Sequence, residues 1–219
     1  AIAVLTRING VWQRTQTLDL PISQPNSITT IRIAGHTAAI QFGGHHYVYE
    51  NNGVNWLPSA PDSYPQGEAI LSKDGQKMAI READGFHLYG RTPDGWQLSG
   101  VIPPLSSDYG VAESIQRTTF HGDDYVISYW VGNPSSSRYY PSLEFYRLID
   151  GQWRHRKSLP LRSDPLARPF ESIASDGTHI LVGSPDSWGE GIHANNEEGA
   201  AYLLTGAPLF NDGMEALSP

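Results

Sequence analysis

Gly10-Val11-Trp12, Gly53-Val54-Asn55-Trp56, Asp94-Gly95-Trp96 and Asp150-Gly151-Gln152-Trp153 are four statements of one phrase. Each is a glycine turn, then a tryptophan, then an apolar strand. The tryptophans stand 44, 40 and 57 residues apart. A phrase that returns at such a period marks an array of supersecondary units and decides the fold before any local reading. A second phrase marches with it, a polar-glycine turn before an apolar run: Ala34-Gly35, Asp74-Gly75, Gly122-Asp123 and Asp176-Gly177. Glycine accepts positive φ without a steric penalty, so such turns between β-rich runs are hairpin signals.

Between the two phrases each unit holds four strands. Strand a follows the tryptophan, as in 12–20 and 153–159. Strand b precedes the second glycine turn, at 28–33, 68–72, 113–120 and 170–174. Strand c follows that turn. Strand d precedes the next Gly-Trp, at 46–50, 86–90, 143–148 and 200–205. Leu143-Glu144-Phe145-Tyr146-Arg147 shows the period-2 alternation of a strand, and no window carries a capped helical period. Four antiparallel strands repeated every 40 to 57 residues spell an all-β chain of β-propeller blades. The units run over 10–50, 53–90, 95–148 and 151–205 within a repeat region of 1–206, with a tail at 207–219. Residues 1–6 match 200–205 in type, a fifth d-like strand beside four a-b-c sets. The expectation is a propeller of about four blades that is part of a longer chain or closes by assembly. The repeated tryptophans are expected to pack blade on blade, so function is sought where the repeats differ.

Composition narrows the partners. Net charge is −8, which argues against a nucleic-acid surface. Arg154-His155-Arg156-Lys157 is the only basic run and reads as an exposed strand edge. With no cysteine, a disulfide framework and a thiolate metal site are excluded. No stretch approaches the roughly 18 apolar residues of a membrane-spanning helix. The chain starts at Ala1 in mid-strand and is read as a mature or excised segment, so a missing signal peptide says little.

The last unit, Phe170-Glu171-Ser172 through Val182-Gly183-Ser184-Pro185 and then Gly199-Ala200-Ala201-Tyr202, resembles an FG-GAP repeat, the blade of integrin-α-type propellers and of many bacterial surface proteins. Val131-Gly132-Asn133-Pro134 stands at the same point one unit earlier. Departures are Glu171 where the family has glycine and Ser184 where it has alanine. The resemblance implies an extracellular, cell-surface or periplasmic location, and a calcium site in an acidic c–d loop. Ca²⁺ takes six to eight oxygen ligands, which carboxylates and carbonyls on a bent loop supply. The ligands it implies here are Asp186, Glu190, Asn195 and Glu197; the alternative is a solvated acidic turn.

The irregularity lies in the c–d spans. Gly35 to His46 and Gly75 to Phe86 are both 11 residues, whereas the third and fourth spans are 21 and 23. The two longer spans carry Tyr139, Tyr140 and Trp188, candidate ligand-binding aromatics whose faces can stack on a sugar. Their alternative role is packing the loop on its own blade. His45 and His46 fall on opposite faces of a strand, so one metal is not expected to hold both. His36, His121 and His179 sit at the second glycine turn, where turn chemistry explains them. No G-x-S-x-G or phosphate loop is present, and Asp108, Glu113, Asp123 and Asp124 cannot be paired by spacing. The expected function is a non-enzymatic binding or scaffold module that engages a protein partner through its long loops. A carbohydrate-binding propeller is the alternative, and a propeller hydrolase the third reading.

Overall fold

The computed structural model describes residues 1–20, 28–42, 45–59, 64, 67–103, 115–133, 138–160, 172–184 and 200–204. All regular elements among them are strands. The chain forms two compact units, Ala1–Pro104 with Ile149–Trp153, and Leu105–Leu148 with Arg154–Pro219.

In the first unit β1 (Ile2–Ile8) and β2 (Val11–Leu18) form a hairpin. A four-stranded sheet follows, ordered β3 (Ile28–Ala34), β4 (Thr37–Phe42), β5 (His45–Asn51), β6 (Trp56–Pro58). The next has β7 (Ala69–Leu71), β8 (Lys77–Glu82), β9 (Gly85–Thr92) and β10 (Gly95–Ile102). The second unit holds most of the sheet β11 (Ile115–His121), β12 (Asp124–Asn133), β13 (Arg138–Ile149), β14 (Gln152–Pro160). Its last sheet is three-stranded: β15 (Ser172–Ser175), β16 (Ile180–Ser184), β17 (Ala200–Leu204). These antiparallel sheets are β-propeller blades, the fold class expected from the repeat.

The sheets begin one strand later than the sequence units do. Each four-stranded sheet is made of strands b, c and d plus the strand a that follows the next Gly-Trp. The phrase is therefore the d–a hairpin turn inside a sheet. Asn9 and Gly10 have φ of 49° and 83°, and Asp150 and Gly151 have 51° and 74°. Positive φ at both central residues matches the right-handed twist of the flanking strands. The fifth d-like strand is accounted for in the same way, because β1 pairs with the first a strand, β2.

Sheets stack because their strands bury both faces. On β4, Ala38 and Ile40 pack with Leu18, Phe42 and Tyr49 against the β1–β2 hairpin. Ala39, between them, packs on the other side with Val48, Met78, Ile80 and Trp96. In the second unit Val126, Leu143, Phe145 and Leu159 meet Ile180 and Val182. Each such large apolar side chain contributes about 1.5–3 kcal/mol when fully buried.

The repeated tryptophans divide. Trp96 is 4% exposed, and its indole N–H donates to Glu50 Oε1 at 3.1 Å. Trp153 donates to Ser99 Oγ at 3.3 Å and lies against Gly100, where a Cβ would sit 2.9 Å from Trp153 Cδ1. The main chain of Trp56 is held by Gln16, which accepts from its N–H at 2.8 Å and donates to its carbonyl at 2.7 Å. These three reach the preceding sheet or hairpin, as the repeat predicts. Trp12 does not pack in this way and is 65% exposed.

The b–c turns touch across neighbouring sheets. Thr37 Oγ1 donates to the Gly75 carbonyl at 2.9 Å. A Cβ on Gly35 would collide with the Asp74 carbonyl, and one on Gly75 with the Ala34 carbonyl. In the second unit His121 Nδ1 meets Ser175 Oγ at 2.9 Å, and Ser175 Oγ accepts the Gly177 N–H. Asp176 accepts from the backbone N–H groups of Thr178 and His179 at 2.8 and 2.7 Å. His179 thus serves its turn, as its position implied.

Candidate functional site

The feature that sets one sheet apart is its c–d hairpin. The hairpins β4–β5 and β8–β9 use strands of six to eight residues, whereas β12 has ten and β13 has twelve. Among the described residues β12 pairs with β11 from Asp124↔His121 to Tyr129↔Ile115. β12 and β13 stay paired through Trp130↔Pro141, Val131↔Tyr140, Gly132↔Tyr139 and Asn133↔Arg138. The added residues thus lengthen two paired strands into an arm. Tyr139 and Tyr140, expected in a loop, lie in β13. The reason is local: Trp130, Val131, Tyr139 and Tyr140 are strand-favouring residues, and Val131 and Tyr140 are direct partners in the ladder. Trp188, Asp186, Glu190, Asn195 and Glu197 lie outside the described residues.

A buried polar cluster anchors the base of the arm. Glu144, on β13, is 5% exposed. Ser142 donates to its Oε1 at 2.7 Å, and Ser158 donates to its Oε2 at 2.5 Å. His155 Nε2 lies 2.7 Å from the same Oε2 and 3.3 Å from Ser158 Oγ. Serine, histidine and glutamate together invite comparison with a hydrolytic triad. In a triad the histidine uses one nitrogen for the nucleophile and the other for the acid. Here Ser158 and Glu144 meet the same nitrogen, and Ser158 hands its proton to the carboxylate. The cluster holds β13 to β14 and does not activate a nucleophile.

Of the carboxylates considered for glycosidase chemistry, Asp108 and Glu113 lie outside the described residues. Asp124 is 1% exposed and accepts both Nε and Nη2 of Arg147, at 2.6 and 2.7 Å. The hydrogen bond to Asp124 raises the Arg147 guanidinium above its ordinary pKa.

The first unit carries a groove of about 640 Å³ at its d–a turns, lined by Glu50, Asn51, Leu57, Gln76, Arg91 and Asp94 among others. Its charges are largely satisfied within: Arg91 Nε donates to Glu50 Oε1 at 2.9 Å, and Nη2 to Oε2 at 2.5 Å. One cluster escaped the sequence reading. Across the β8–β9 turn, His87 places Nδ1 3.1 Å from Glu82 Oε1 and Nε2 3.0 Å from Asp84 Oδ1. The two carboxylates occupy both ring nitrogens, and the spacing 82, 84, 87 becomes visible only once the hairpin is known.

His45 and His46 divide as alternation requires: His45 is exposed and His46 is fully buried. His46 Nε2 donates to the Gly67 carbonyl at 2.6 Å, leaving Nδ1 buried without a hydrogen-bond partner among the described residues. Burial is the main cause that lowers its pKa below 6.5, with the neighbouring His45 adding to it against the Gly67 bond. His121 is also lowered, again mainly by burial, against Asp124 and Asp176, which pull it up. Both are neutral when folded, and an unfolded chain takes up their protons first. Stability is therefore full above pH 6.5 and falls as pH drops below it, with a limiting slope of about 1.4 kcal/mol per pH unit per histidine. Asp74 and Asp176 are held below 3.8. For Asp74, burial pushes upward and the Ser72 hydroxyl, the Gln76 N–H and Lys77 outweigh it. Their contribution is lost only as pH falls below that value. Urea melts between pH 4.5 and 7.5 should show the first loss, and His46→Gln should flatten it by about half. An unchanged slope in the variant would show that His46 is not the source.

No family model matches the chain, and no curated protein matches it. Among solved structures it is similar to the N-terminal domain of Nup159, at a TM-score of 0.42 and 8% identity. That match covers 82% of this chain and 45% of the other, so the chain spans less than half of that structure's length.

Proposed function

We propose that this chain is a non-enzymatic propeller module that binds a protein partner through the β12–β13 arm. One observation carries the reading: the described c–d hairpin that outgrows its repeat continues as paired strands through Asn133↔Arg138, with strands of ten and twelve residues against six to eight in the first two repeats. Repeated positions build the sheets, so residues added to a c–d span beyond the repeat are free to serve recognition. Paired strands hold recognition groups at lower entropic cost than a loose loop does. The sequence supports further detail, namely an FG-GAP-like module of an exported or cell-surface protein, with flanking domains and Ca²⁺ at Asp186, Glu190, Asn195 and Glu197.

A photo-crosslinking amino acid placed at Tyr140 and, separately, at Val54 in the source cells tests the arm. Val54 is 84% exposed on a different sheet's turn. A discrete protein adduct is expected from position 140 alone. Equal adducts from both positions, or none from 140, would remove the arm from the reading. A glycan array with Tyr139→Ala and Tyr140→Ala controls separates the carbohydrate-binding alternative, which predicts glycan signals that these changes abolish.

A further inference from the structure

The groove of the first unit sits where the repeat is broken. The d–a turns after β1, β9 and β13 leave two residues between their strands, but β5 ends at Asn51 and β6 begins only at Trp56. β6 then holds three residues, against eight or nine in β2, β10 and β14. The widened turn and the short strand form one wall of the groove, and the β9–β10 turn with Gln76 forms the other. Its volume of about 640 Å³ lies within the roughly 300–1,000 Å³ of small-molecule sites.

Hydrogen bonds inside the walls settle what each group has left for a ligand. Asn52 Oδ1 accepts the N–H groups of Val54 and Asn55, both at 2.9 Å, and Asn51 Oδ1 accepts that of Gly53 at 2.7 Å. Only an amide oxygen can meet a backbone N–H, so both Nδ2 groups remain as oriented donors. Arg91 uses Nε and Nη2 on Glu50, which leaves Nη1 as a further donor. Glu50 also receives Trp96 Nε1 and Ser59 Oγ, so it is saturated and holds Arg91 in place. Ser59 and Thr92 donate their hydroxyl protons, to Glu50 and to the Gly95 carbonyl, and keep lone pairs as acceptors. Asp94 and Gln76 are exposed, and among the described residues neither side chain has a hydrogen-bond partner.

These groups exclude most ligand classes. Glu50 neutralises Arg91 and the Asp94 carboxylate stands open, so an anion is disfavoured. No aromatic residue is among the described residues that line the groove, so a flat heteroaromatic ligand has no ring to stack on. An extended peptide would need an open strand edge, and β6 ends in Pro58, which has no N–H to give. A neutral ligand rich in hydroxyls fits. Each hydroxyl both donates and accepts, and a vicinal pair can bridge the two polar atoms of a planar amide, carboxylate or guanidinium. Leu57, which is 48% exposed, and Pro58 and Pro93 suit the C–H faces of a pyranose ring.

We propose that this groove binds a neutral oligosaccharide. None of its residues belongs to the β12–β13 arm, and the site stands whether or not the arm binds a protein.

Saturation-transfer NMR of the intact protein tests this, with neutral trisaccharides of glucose, mannose and galactose at about 10 mM, enough to populate even a millimolar site. Transfer to at least one of them is expected, with a weaker signal from a sialylated trisaccharide. Gln76→Ala and Asp94→Asn should each weaken binding about three- to tenfold, the loss of one hydrogen bond. Both should leave the melting curve in place, since the two side chains are exposed. Tyr140→Ala should leave sugar binding unchanged, which separates the groove from the arm. No transfer to any neutral trisaccharide, a stronger signal from the sialylated one, or full binding by both groove variants would overturn the proposal. So would loss of binding in Tyr140→Ala, or transfer to a mixture of end-blocked hexapeptides in place of the sugars.

Discussion

Gly75→Ala should lower the melting midpoint by about 6–12 °C, against about 2–8 °C for Gly10→Ala. Both glycines have positive φ, 69° and 83°, where an alanine costs roughly 1–2 kcal/mol. Around Gly10 nothing lies within 4 Å of an added Cβ. At Gly75 the Cβ would collide with the Ala34 carbonyl and lie 3.1 Å from Thr37 Oγ1. The same Thr37 hydroxyl bonds to Gly75, so the neighbouring sheet cannot step back without losing that bond. Backbone strain and a blocked approach together bring the cost to about 3 kcal/mol. Gly35→Ala should behave like Gly75→Ala, because its Cβ meets the Asp74 carbonyl. Equal losses at Gly10 and Gly75, read by differential scanning calorimetry, would show that φ alone matters.

Arg147→Met should cost a comparable amount for a different reason. It leaves the buried Asp124 carboxylate without the guanidinium that donates to both its oxygens. Removing one partner of a buried ion pair costs about 3–5 kcal/mol. Arg147 is 36% exposed, so water reaches the pair and about 2–3 kcal/mol is expected. The double variant Asp124→Leu, Arg147→Met should recover most of the loss, since it removes the stranded charge. A double-mutant cycle in urea checks this. Additive losses would show that the pair does not act as a unit.

The repeat was legible because its chemistry is local. All four glycines of the Gly-Trp phrase have positive φ, and at Asn9-Gly10 and Asp150-Gly151 both central residues do, which the phrase records in a few adjacent residues. What a strand hydrogen-bonds to is not local. Strand a, at 153–159, alternates in the same way whether it joins the sheet before or after it, so the one-strand offset was not visible. The arm was read as a loop because Asn133-Pro134-Ser135-Ser136-Ser137 has loop composition, although the residues on either side favour strands. Trp12 carries the same phrase as Trp96, yet one is exposed and the other buried. Trp96 meets Glu50 of the preceding sheet, a partner that its own phrase does not encode. Glu144, His155 and Ser158 converge only through the register of β13 and β14, so no spacing announced them.

The central claim is that the repeat holds the fold while the β12–β13 arm holds the function. Tyr129 and Ser142 are directly paired, so residues 130–141 can be replaced by an Asn-Gly turn that closes the hairpin at its base. The direct measurement is recovery of the protein partner found by crosslinking at position 140, comparing this shortened chain with the full chain at matched melting midpoint. Loss of the partner from a shortened chain that melts as before is the predicted result. Recovery of the partner in full by that chain would contradict the account.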